Sequence, residues 1–463
     1  MYLPGAYLRE VAANVRREVA MMFRIHLTSL GIIAIAASTL AACGSDTASS
    51  AADASGTPGV QVYASQKARL TAASVPASEV QAAAAANNAF GFEMYKAVTA
   101  TSTSGNVLFS PYSAEIALAM TAQGAKGDTL AQMGKTLGFS LPDAKMHPAF
   151  GALDLALMSR GQGASGKDGQ PFRLKIANST WGQDGYAFVP AFLDGLKVNY
   201  GAALNAVDFI TASETARLAI NSWVLAATEQ KIKDLIPKGG VDAQTRLVLV
   251  NAIYFNAAWS KQFDAKLTLP GTFHAPVKDV TVPLMHQTAE HPYNSGSDWE
   301  AVDLRYDGGQ MAMLLVLPKP GKLAAVEASL DTKQLDSIVA KLATTNVNLT
   351  MPRWKIDWAS SLESSLGSLG MSDAFDPSKA DFSGIGGTKG ELYISGVLQK
   401  TFAAVDEKGT EAAAATAVIV GTTSAPPPPI EVALDRPFLY FIRDVSTGTV
   451  LFIGRVADPS LAN

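Results

Sequence analysis

Residues 406–416 read Asp-Glu-Lys-Gly-Thr-Glu-Ala-Ala-Ala-Ala-Thr, and 417–424 continue as Ala-Val-Ile-Val-Gly-Thr-Thr-Ser before Ala425 and four prolines at 426–429. Alanine is the best helix former, so 411–415 could open a short helix. Enrichment in Gly, Thr, Ser and Pro equally fits an ordinary exposed loop. Local preference changes from helix to strand along the segment, and the chain on either side is strand-like. A long exposed segment with two accessible states is therefore a third interpretation.

Apolar runs and helical patterns surround this segment. Runs rich in Val, Ile, Phe, Leu and Tyr predict strands at 245–255, 311–317, 347–352, 392–405, 438–443 and 450–456. Helical spacing predicts helices at 88–99, 113–137, 216–236 and 332–343, and Ser110-Pro111 is a start signal for the second. Because helices dominate the first half and strands the second, the sequence predicts an α+β fold with a large mixed sheet rather than a regular βαβ repeat.

The composition of the 463 residues excludes several classes of protein. With 48% apolar and 17% charged residues, the chain is too apolar to be disordered. Lys+Arg 37 against Asp+Glu 41 gives a net charge of −4, so no basic field predicts nucleic-acid binding. The single cysteine, Cys43, excludes an internal disulfide and any metal site built from several cysteines.

The N-terminal residues 1–43 are typical of an export signal. A basic start precedes the apolar stretch 27–42, which is shorter than the ~20 residues needed to span a bilayer as a helix. Leu-Ala-Ala-Cys at 40–43 resembles a bacterial lipobox, in which the cysteine becomes the lipid-bearing first residue. A buried free cysteine is the alternative. We expect lipidation at Cys43 and a lipid-anchored protein on the bacterial outer membrane, facing the periplasm or the cell exterior.

The rest of the chain divides into two parts. Residues 44–85 are rich in Ala, Ser, Thr and Gly and contain few large apolar side chains, which predicts a flexible tether. Residues 86–463 contain no break long enough for a domain linker, which predicts one folded domain.

Enzyme motifs are incomplete or absent in this sequence. There is no His-Glu-x-x-His, no two histidines have i, i+4 spacing, and no Gly-x-Ser-x-Gly is present. The P-loop-like end at 134–136 has Thr129 where the first glycine is needed. We therefore predict no catalytic residue, no metal site and no cofactor.

Five separated motifs occur in the order that a known family shows. They read Asn-Val-Leu-Phe-Ser-Pro-Tyr-Ser at 106–113, Leu-Val-Leu-Val-Asn-Ala-Ile-Tyr-Phe at 247–255, the hinge-like stretch 406–416, Arg-Pro-Phe-Leu-Tyr-Phe at 436–441 and Leu-Phe-Ile-Gly-Arg-Val at 451–456. On these motifs the chain resembles the serpin family, as a bacterial member of the inhibitory type, from about residue 86 to 459. The resemblance implies three β-sheets, about nine helices and an exposed reactive-centre loop between Glu407 and the prolines.

The resemblance also implies a function. Inhibitory serpins are suicide substrates of serine proteases: the protease cleaves the loop, and the cut loop inserts into the main sheet while the acyl-enzyme is intact. The fold is then metastable before cleavage, and insertion of roughly 15 residues at ~3.3 Å each moves the protease by about 50 Å. The expected partner is a target protease in a covalent acyl complex. We expect a monomer that is an inhibitor and not an enzyme.

Particular residues acquire roles by this resemblance. The hinge residues are Glu407, Gly409, Thr410, Glu411, Ala412, Ala413, Ala414, Ala415 and Thr416. Family spacing places the reactive bond at Thr423–Ser424, within a window of Val420, Gly421, Thr422 and Ala425. This window contains no Arg or Lys, which favours an elastase- or subtilisin-like target over a trypsin-like one and leaves a cysteine protease as an option.

Five residues match positions that control sheet opening in the family. Ser110, Ser113 and Asn251 match the shutter beneath the sheet, and Trp259 matches the breach at its top. Gln399 stands where many serpins have a shutter histidine, and glutamine can both donate and accept hydrogen bonds.

Two other functions compete with inhibition. A non-inhibitory serpin that acts as a binding or chaperone protein usually has Pro, charge or bulk in the hinge, whereas residues 409–416 contain only the one charge, Glu411, that inhibitory members share. An exported hydrolase is the alternative from a different class, and no nucleophile–base motif supports it.

Overall fold

A computed structural model describes residues 56–101, 105–410 and 428–461. The nine α-helices of these residues are α1 (Ala77–Thr101), α2 (Pro111–Ala122), α3 (Gly127–Thr136), α4 (Asp143–Met158), α5 (Pro190–Gly195), α6 (Phe209–Ala227), α7 (Leu323–Ser329), α8 (Thr332–Ala340) and α9 (Glu363–Ser368). The sixteen strands are β1 (Gln61–Tyr63), β2 (Val107–Phe109), β3 (Arg173–Gln183), β4 (Leu204–Val207), β5 (Leu247–Ala258), β6 (Leu269–His274), β7 (Asp279–Ser295), β8 (Trp299–Arg305), β9 (Met311–Pro318), β10 (Ala343–Pro352), β11 (Trp354–Ser361), β12 (Ile394–Asp406), β13 (Gly409–Thr410), β14 (Ile430–Ala433), β15 (Phe438–Asp444) and β16 (Val450–Val456).

Strand β5 lies inside a seven-stranded sheet with the order β1-β4-β3-β5-β13-β12-β11. All twelve residues of β5 are buried. Because successive side chains of a strand point to opposite faces, Leu247 and Leu249 join one apolar cluster, while Val248 and Val250 join a second cluster that contains Trp223 of α6. An uninterrupted apolar run in the sequence thus marks a strand that is covered on both faces.

The second sheet has nine strands, in the order β14-β10-β7-β8-β9-β15-β16-β2, with β6 added to β7. Three sheets were expected, and the described residues form two hydrogen-bonded sheets. The reason is the length of β7, which has 17 residues. It pairs with β6 near its start, with β10 along much of its length and with β8 at its end, so the pairing is continuous.

The start of α2 follows the signal in the sequence, but the predicted helix 113–137 is wrong in its extent. Ser110 caps α2 by accepting a hydrogen bond from Ser113 N at 3.3 Å, and Pro111 occupies the first turn. The chain then turns, and a second helix, α3, begins at Gly127, which has a φ of +50°. A left-handed residue of this kind interrupts the helix, so two helices replace one.

Two other predicted helices are too long. The prediction 216–236 falls on α6, which ends at Ala227, and the following residues Glu229 and Gln230 have φ of 51° and 62°. The prediction 332–343 falls on α8, which ends at Ala340, because β10 begins at Ala343. Favourable residue types continue past both helices, but pairing and packing of the next segment end them.

The predicted tether 44–85 is wrong where the structure describes it. Strand β1 pairs antiparallel with β4 at the edge of the seven-stranded sheet. The ring of Tyr63 packs edge-on against Phe188 with centroids 4.8 Å apart. Arg69 Nη2 lies 2.5 Å from Asp154 Oδ2, and Asp154 is buried.

The contacts of β1 are mostly backbone hydrogen bonds, so they need few large apolar side chains, which explains the error. Residues 1–55, with the predicted export signal, Cys43 and the first part of the tether, lie outside the described residues. In the part of the chain that the structure describes, no helix has both the length and the apolar character needed to cross a bilayer.

Candidate functional site

The described part of the hinge forms a two-residue strand between two longer ones. Gly409 pairs with Ala258 of β5 and Asp406 of β12, and Thr410 pairs with Ala257 and Val405. Both pairings are antiparallel. The predicted hinge residues Glu411–Thr416, the reactive bond Thr423–Ser424 and its window Val420–Ala425 lie outside the described residues.

Next to β13, strands β5 and β12 pair with each other directly. Their parallel pairing runs from Leu247 with Ile394 to Tyr254 with Phe402. Between this ladder and β13 lie Phe255 and Asn256 on β5 and Ala403 and Ala404 on β12, a junction that we call the fork. The seven-stranded sheet is thus separated at one end of β5 and β12 and closed along the remainder.

Gly409 fits the separated end because it has no side chain. Its φ of +146° is one that L side chains rarely adopt. A Cβ at this position would lie 2.2 Å from Ala257 O and 2.8 Å from Ala258 Cα. Any other residue would therefore push the hinge away from β5.

Thr410 is held on the buried face of the sheet. It is 1% exposed, and its Oγ1 lies 3.0 Å from the hydroxyl of Tyr306. Tyr306 in turn stacks on Trp259, with ring centroids 4.6 Å apart and planes inclined by 15°. Burial raises the pKa of Tyr306, so its hydroxyl is neutral and available as a donor.

Trp259 donates two hydrogen bonds to residues 406–408, the turn that leads into the hinge. Its indole Nε1 donates to Asp406 O at 2.9 Å, and its backbone N donates to Lys408 O at 2.8 Å. The predicted breach residue therefore contacts the chain directly on both sides of Glu407.

Glu407 is anchored by two residues that lie next to the ends of remote strands. Its Oε1 accepts hydrogen bonds from Arg353 Nε at 2.8 Å and Thr268 Oγ1 at 2.5 Å, and it forms an ion pair with Arg353. Burial acts to raise the pKa of Glu407, but the bonds from Arg353 and Thr268 outweigh it, so the pKa lies below its ordinary value. The carboxylate is therefore charged at neutral pH and fixes the start of the hinge.

A row of buried amides crosses the closed part of the sheet. Asn178 of β3 stands opposite Asn251 of β5, which stands beside Gln399 of β12. Gln399 Nε2 donates to Asn251 Oδ1 at 2.9 Å and to Ser110 O at 2.8 Å, and Gln399 Oε1 accepts from Ser110 N at 2.8 Å. Glutamine thus supplies both the donor and the acceptor that the cap of α2 requires.

Ser113 extends this row to β3. Its hydroxyl donates to Asn178 Oδ1 at 2.7 Å, and Ser110 Oγ donates to Leu451 O at 2.7 Å. The Nδ2 atoms of Asn178 and Asn251 are buried and have no hydrogen-bond partner among the described residues. All four predicted shutter residues, Ser110, Ser113, Asn251 and Gln399, are brought together, and the network is not fully satisfied.

Several residues of the site were missed at the level of sequence. Asn178 carried no distinct signal, because its strand reads Arg-Leu-Lys-Ile-Ala-Asn-Ser-Thr-Trp-Gly-Gln and polar residues are frequent in it. No signal in the sequence marked Tyr306, Arg353 or Thr268. They lie next to the ends of three separate strands, and only the fold brings them to the hinge.

The site can be compared with those of known proteins. A protein-family model described as Serpin (serine protease inhibitor) matches residues 85–459. Leukocyte elastase inhibitor A of Mus musculus is 39% identical over 385 residues, which cover 81% of this chain and 98% of the mouse protein. An uncharacterised serpin-like protein of Thermococcus kodakarensis is 39% identical and covers 80% of this chain and 84% of its own.

Two solved structures are similar in fold. Human thyroxine-binding globulin, in complex with thyroxine, has a TM-score of 0.74 and 28% identity, covering 83% of this chain and 100% of the globulin. Serpin48 of the insect Tenebrio molitor, described as highly specific, has a TM-score of 0.71 and 31% identity, covering 82% of this chain and 98% of its own.

Proposed function

The chain belongs to the serpin family, as its motifs indicated, and we propose that it inhibits serine proteases as a suicide substrate. Its family membership and its structural neighbours confirm the predicted fold. The observation that carries the proposal is β13, a two-residue strand already placed between the two strands that a longer insertion would separate.

The register of β13 supports full insertion of a cut loop. Antiparallel pairing that continues from Thr410 would bring position 420 opposite Leu247 and position 421 opposite Ile394, the first residues of β5 and β12. A chain cut after Thr423 would therefore fill the whole length of the opening with about two residues to spare. This length agrees with the proposed reactive bond Thr423–Ser424.

The proposed chemistry begins as ordinary proteolysis. The serine hydroxyl of the protease attacks the carbonyl carbon of Thr423, the bond to Ser424 N breaks, and the protease is esterified to the new chain end. Insertion then carries the ester through roughly a dozen residues at ~3.3 Å each, or about 40 Å. Distortion of the oxyanion hole prevents water from completing the reaction.

The proposed driving force for insertion is the replacement of one ladder of backbone hydrogen bonds, between β5 and β12, by two. Insertion replaces the parallel pairing of β5 with β12 by two antiparallel pairings, which are slightly more stable per residue. If about ten additional backbone hydrogen bonds contribute about 1 kcal/mol each, the gain is on the order of 10 kcal/mol. Within this proposal, Glu407 and Trp259 position the hinge, and Ser110, Ser113, Asn251 and Gln399 control the opening.

The proposed target is an elastase- or subtilisin-like protease. The small and β-branched residues at 418–424 fit a small apolar specificity pocket, and cleavage before Pro426 is disfavoured because proline lacks an N–H group. The inhibitors of leukocyte elastase among the relatives support the same class, and a cysteine protease is the second option.

A non-inhibitory, ligand-binding serpin is the second candidate function. The likeness to thyroxine-binding globulin favours it. The hinge argues against it, because Gly409 and Thr410 are small and already lie within the sheet.

We further propose that the protein is exported, that a lipid at Cys43 anchors it to a bacterial outer membrane, and that it acts as a monomer. The sequence of residues 27–43 supports this proposal.

Incubation with elastase-, subtilisin-, trypsin- and papain-like proteases tests the proposed function. We expect an SDS-stable adduct with the first or second, a cut at Thr423–Ser424 by mass spectrometry, and a higher melting temperature for the nicked protein than for the intact one. Complete cleavage without any adduct, together with unchanged melting, would overturn the inhibitory mechanism and favour the binding protein.

A further inference from the structure

A loop between α4 and β3 lies over the fork. We call residues 164–171 the clamp loop. It is folded by its own hydrogen bonds, from Gly166 N to Gln170 O at 2.6 Å and from Gly169 N to Gly166 O at 3.1 Å. A Cβ on Gly166 would lie 2.6 Å from Asn256 Oδ1, so the backbone of the loop packs directly against the Asn256 side chain of β5.

The clamp loop is bonded to β5 through backbone groups. Ser165 O accepts a hydrogen bond from Ala258 N at 3.0 Å. Lys167 N donates to Asn256 Oδ1 at 2.8 Å. The backbone of Lys167 is therefore fixed to the β5 side of the fork.

The side chain of Lys167 crosses to β12. Its Nζ donates to Ala404 O at 3.0 Å and lies 2.9 Å from Asp406 Oδ2. Only 3% of this side chain is exposed. Burial lowers the pKa of Lys167, and the Asp406 carboxylate opposes that shift. One lysine thus ties the two strands together.

Lys167 lies on the face of the sheet opposite to Thr410. Val405 stands opposite Thr410 and shares its buried face, so Asp406, the next residue, points to the other face, where Lys167 binds it. Lys167 therefore bridges the fork without competing with the Tyr306 contact of Thr410.

The position of the bridge coincides with the next step of insertion. One more residue of antiparallel pairing beyond Thr410 would lie opposite Asn256 and Ala404, the residues that Lys167 contacts. Neighbouring strands are about 4.8 Å apart, and a strand inserted between them doubles that distance. Insertion at this position therefore draws Ala404 O away from Asn256 and breaks the hydrogen bond that Lys167 Nζ donates to it, whereas Asp406 accepts from Lys167 where β13 already separates the strands.

We propose that Lys167 is a positioning residue for loop insertion, a latch that holds β5 and β12 together at the fork and must release Ala404 O before β13 can lengthen. This inference rests on the proposed function, since it assigns a residue that sets the rate of its key step. Loss of the latch should speed insertion and destabilise chiefly the form in which the loop is not inserted.

Peptide annealing measures the opening without any protease. A fluorescent peptide with the sequence of residues 409–423 is added to the full chain, and its incorporation is followed by anisotropy. We expect Lys167→Met to anneal at least about fivefold faster than the wild type, which corresponds to roughly 1 kcal/mol. Lys167→Arg, which keeps the charge, should restore most of the wild-type rate.

Lys145→Met is the matched control, because Lys145 forms an ion pair with Glu79 on the helices at 2.8 Å, away from the fork. It should anneal at the wild-type rate. Equal acceleration by both lysine variants, or no acceleration by Lys167→Met, would overturn the latch.

Melting temperatures separate a latch from a general structural contact. Lys167→Met should lower the melting temperature of the intact protein by a few degrees more than that of the nicked, inserted protein. Equal lowering of both would show that the contact persists after insertion and would contradict the proposal. Lys167→Leu, which also removes the donor to Ala404 O, provides the same test if Lys167→Met does not fold.

Failure of the proposed function is visible separately. If the wild type forms no protease adduct but annealing follows the expected order, inhibition is wrong and the latch stands as a control of sheet opening. If the wild type forms adducts but the variants anneal alike, the latch is wrong and inhibition stands.

Discussion

The two ends of the β5–β12 pair differ in whether the strands bond to each other. At the fork end, β13 lies between them, and its first residue is a glycine with no room for a side chain. At the other end the two strands pair directly, and a row of buried amides joins them to β3 and α2. The same sheet is therefore open at one end and closed at the other.

This difference sets the direction in which the sheet opens during the proposed insertion. A strand can lengthen from β13 because its first pairings exist, so opening proceeds from the fork toward Leu247 and Ile394. The resistance it meets is set by the direct ladder and by the hydrogen bonds of Gln399. Variants at the two ends should therefore affect different quantities.

The largest effect is expected at the open end, for Thr410→Arg. A guanidinium cannot enter the buried face without leaving a charge unpaired, at a cost of several kcal/mol, so covalent trapping should fall by at least about a hundredfold. Cleavage of the loop should continue. Denaturing gels measure both. Thr410→Ser, which keeps the hydroxyl for Tyr306, is the control, and adduct formation by the arginine variant at the wild-type level would contradict this account of the hinge.

The next largest effect is expected at the closed end, for Gln399→Leu. The change removes three hydrogen bonds and leaves Ser110 N and Asn251 Oδ1 buried without a partner, which should lower the free energy of unfolding by about 2–4 kcal/mol, while Ser110 O keeps its bond from Ala114 N. Urea denaturation of the intact protein measures it. Gln310→Leu removes a bond in an exposed setting and should change stability by less than about 0.5 kcal/mol. Equal losses of stability in Gln399→Leu and Gln310→Leu would mean that the buried amide row contributes no more than one exposed hydrogen bond.

A smaller, pH-dependent effect is expected for Glu407→Gln. The folded-state pKa of Glu407 is below its ordinary value of 4.5, so the stability from its charge is fully present above that value and is lost as the pH falls through the folded-state pKa. Because Arg353 is 43% exposed, we expect a difference of only about 1 kcal/mol between wild type and variant at pH 7. Unfolding measured from pH 7 to pH 3 should show this difference shrinking, and a constant difference would argue against the ion pair.

A change in stability of similar size, with none in annealing, is expected at the far edge of the same sheet, for Tyr63→Ala. Loss of the ring contact with Phe188 should lower stability by about 1 kcal/mol and leave peptide annealing unchanged, since β1 is three strands away from β5. Tyr63→Phe keeps the ring and should match the wild type. Faster annealing by Tyr63→Ala would show that the edge and the fork are coupled.

Local sequence patterns predicted the parts of the fold that depend on local physics. The apolar run of β5 and the Ser110-Pro111 start of α2 are examples, because burial on both faces and capping each have a sequence signature. The ends of α6 and α8 could not be found this way, since favourable residue types continue past them. β1 was missed because its pairing with β4 uses backbone groups that every residue has.

The residues of the site also divide into those that the sequence predicted and those that it could not. The family motifs predicted Ser110, Ser113, Asn251, Gln399 and Trp259, and the structure brings the first four into one network. Lys167 and Arg353 could not be predicted, because a lysine in a polar loop and an arginine at a strand end look like ordinary surface residues until the chain is folded.

The two strands that flank the reactive segment have different neighbours, with a consequence for the cut protein. β13 belongs to the seven-stranded sheet, whereas β14 belongs to the nine-stranded one, in which β15 and β16 are interior strands with partners on both sides. Hydrolysis at Thr423–Ser424 would therefore cut the chain into two fragments that the nine-stranded sheet holds together. The C-terminal fragment should stay bound through native electrophoresis and separate only in denaturant, so cleavage releases no diffusible peptide.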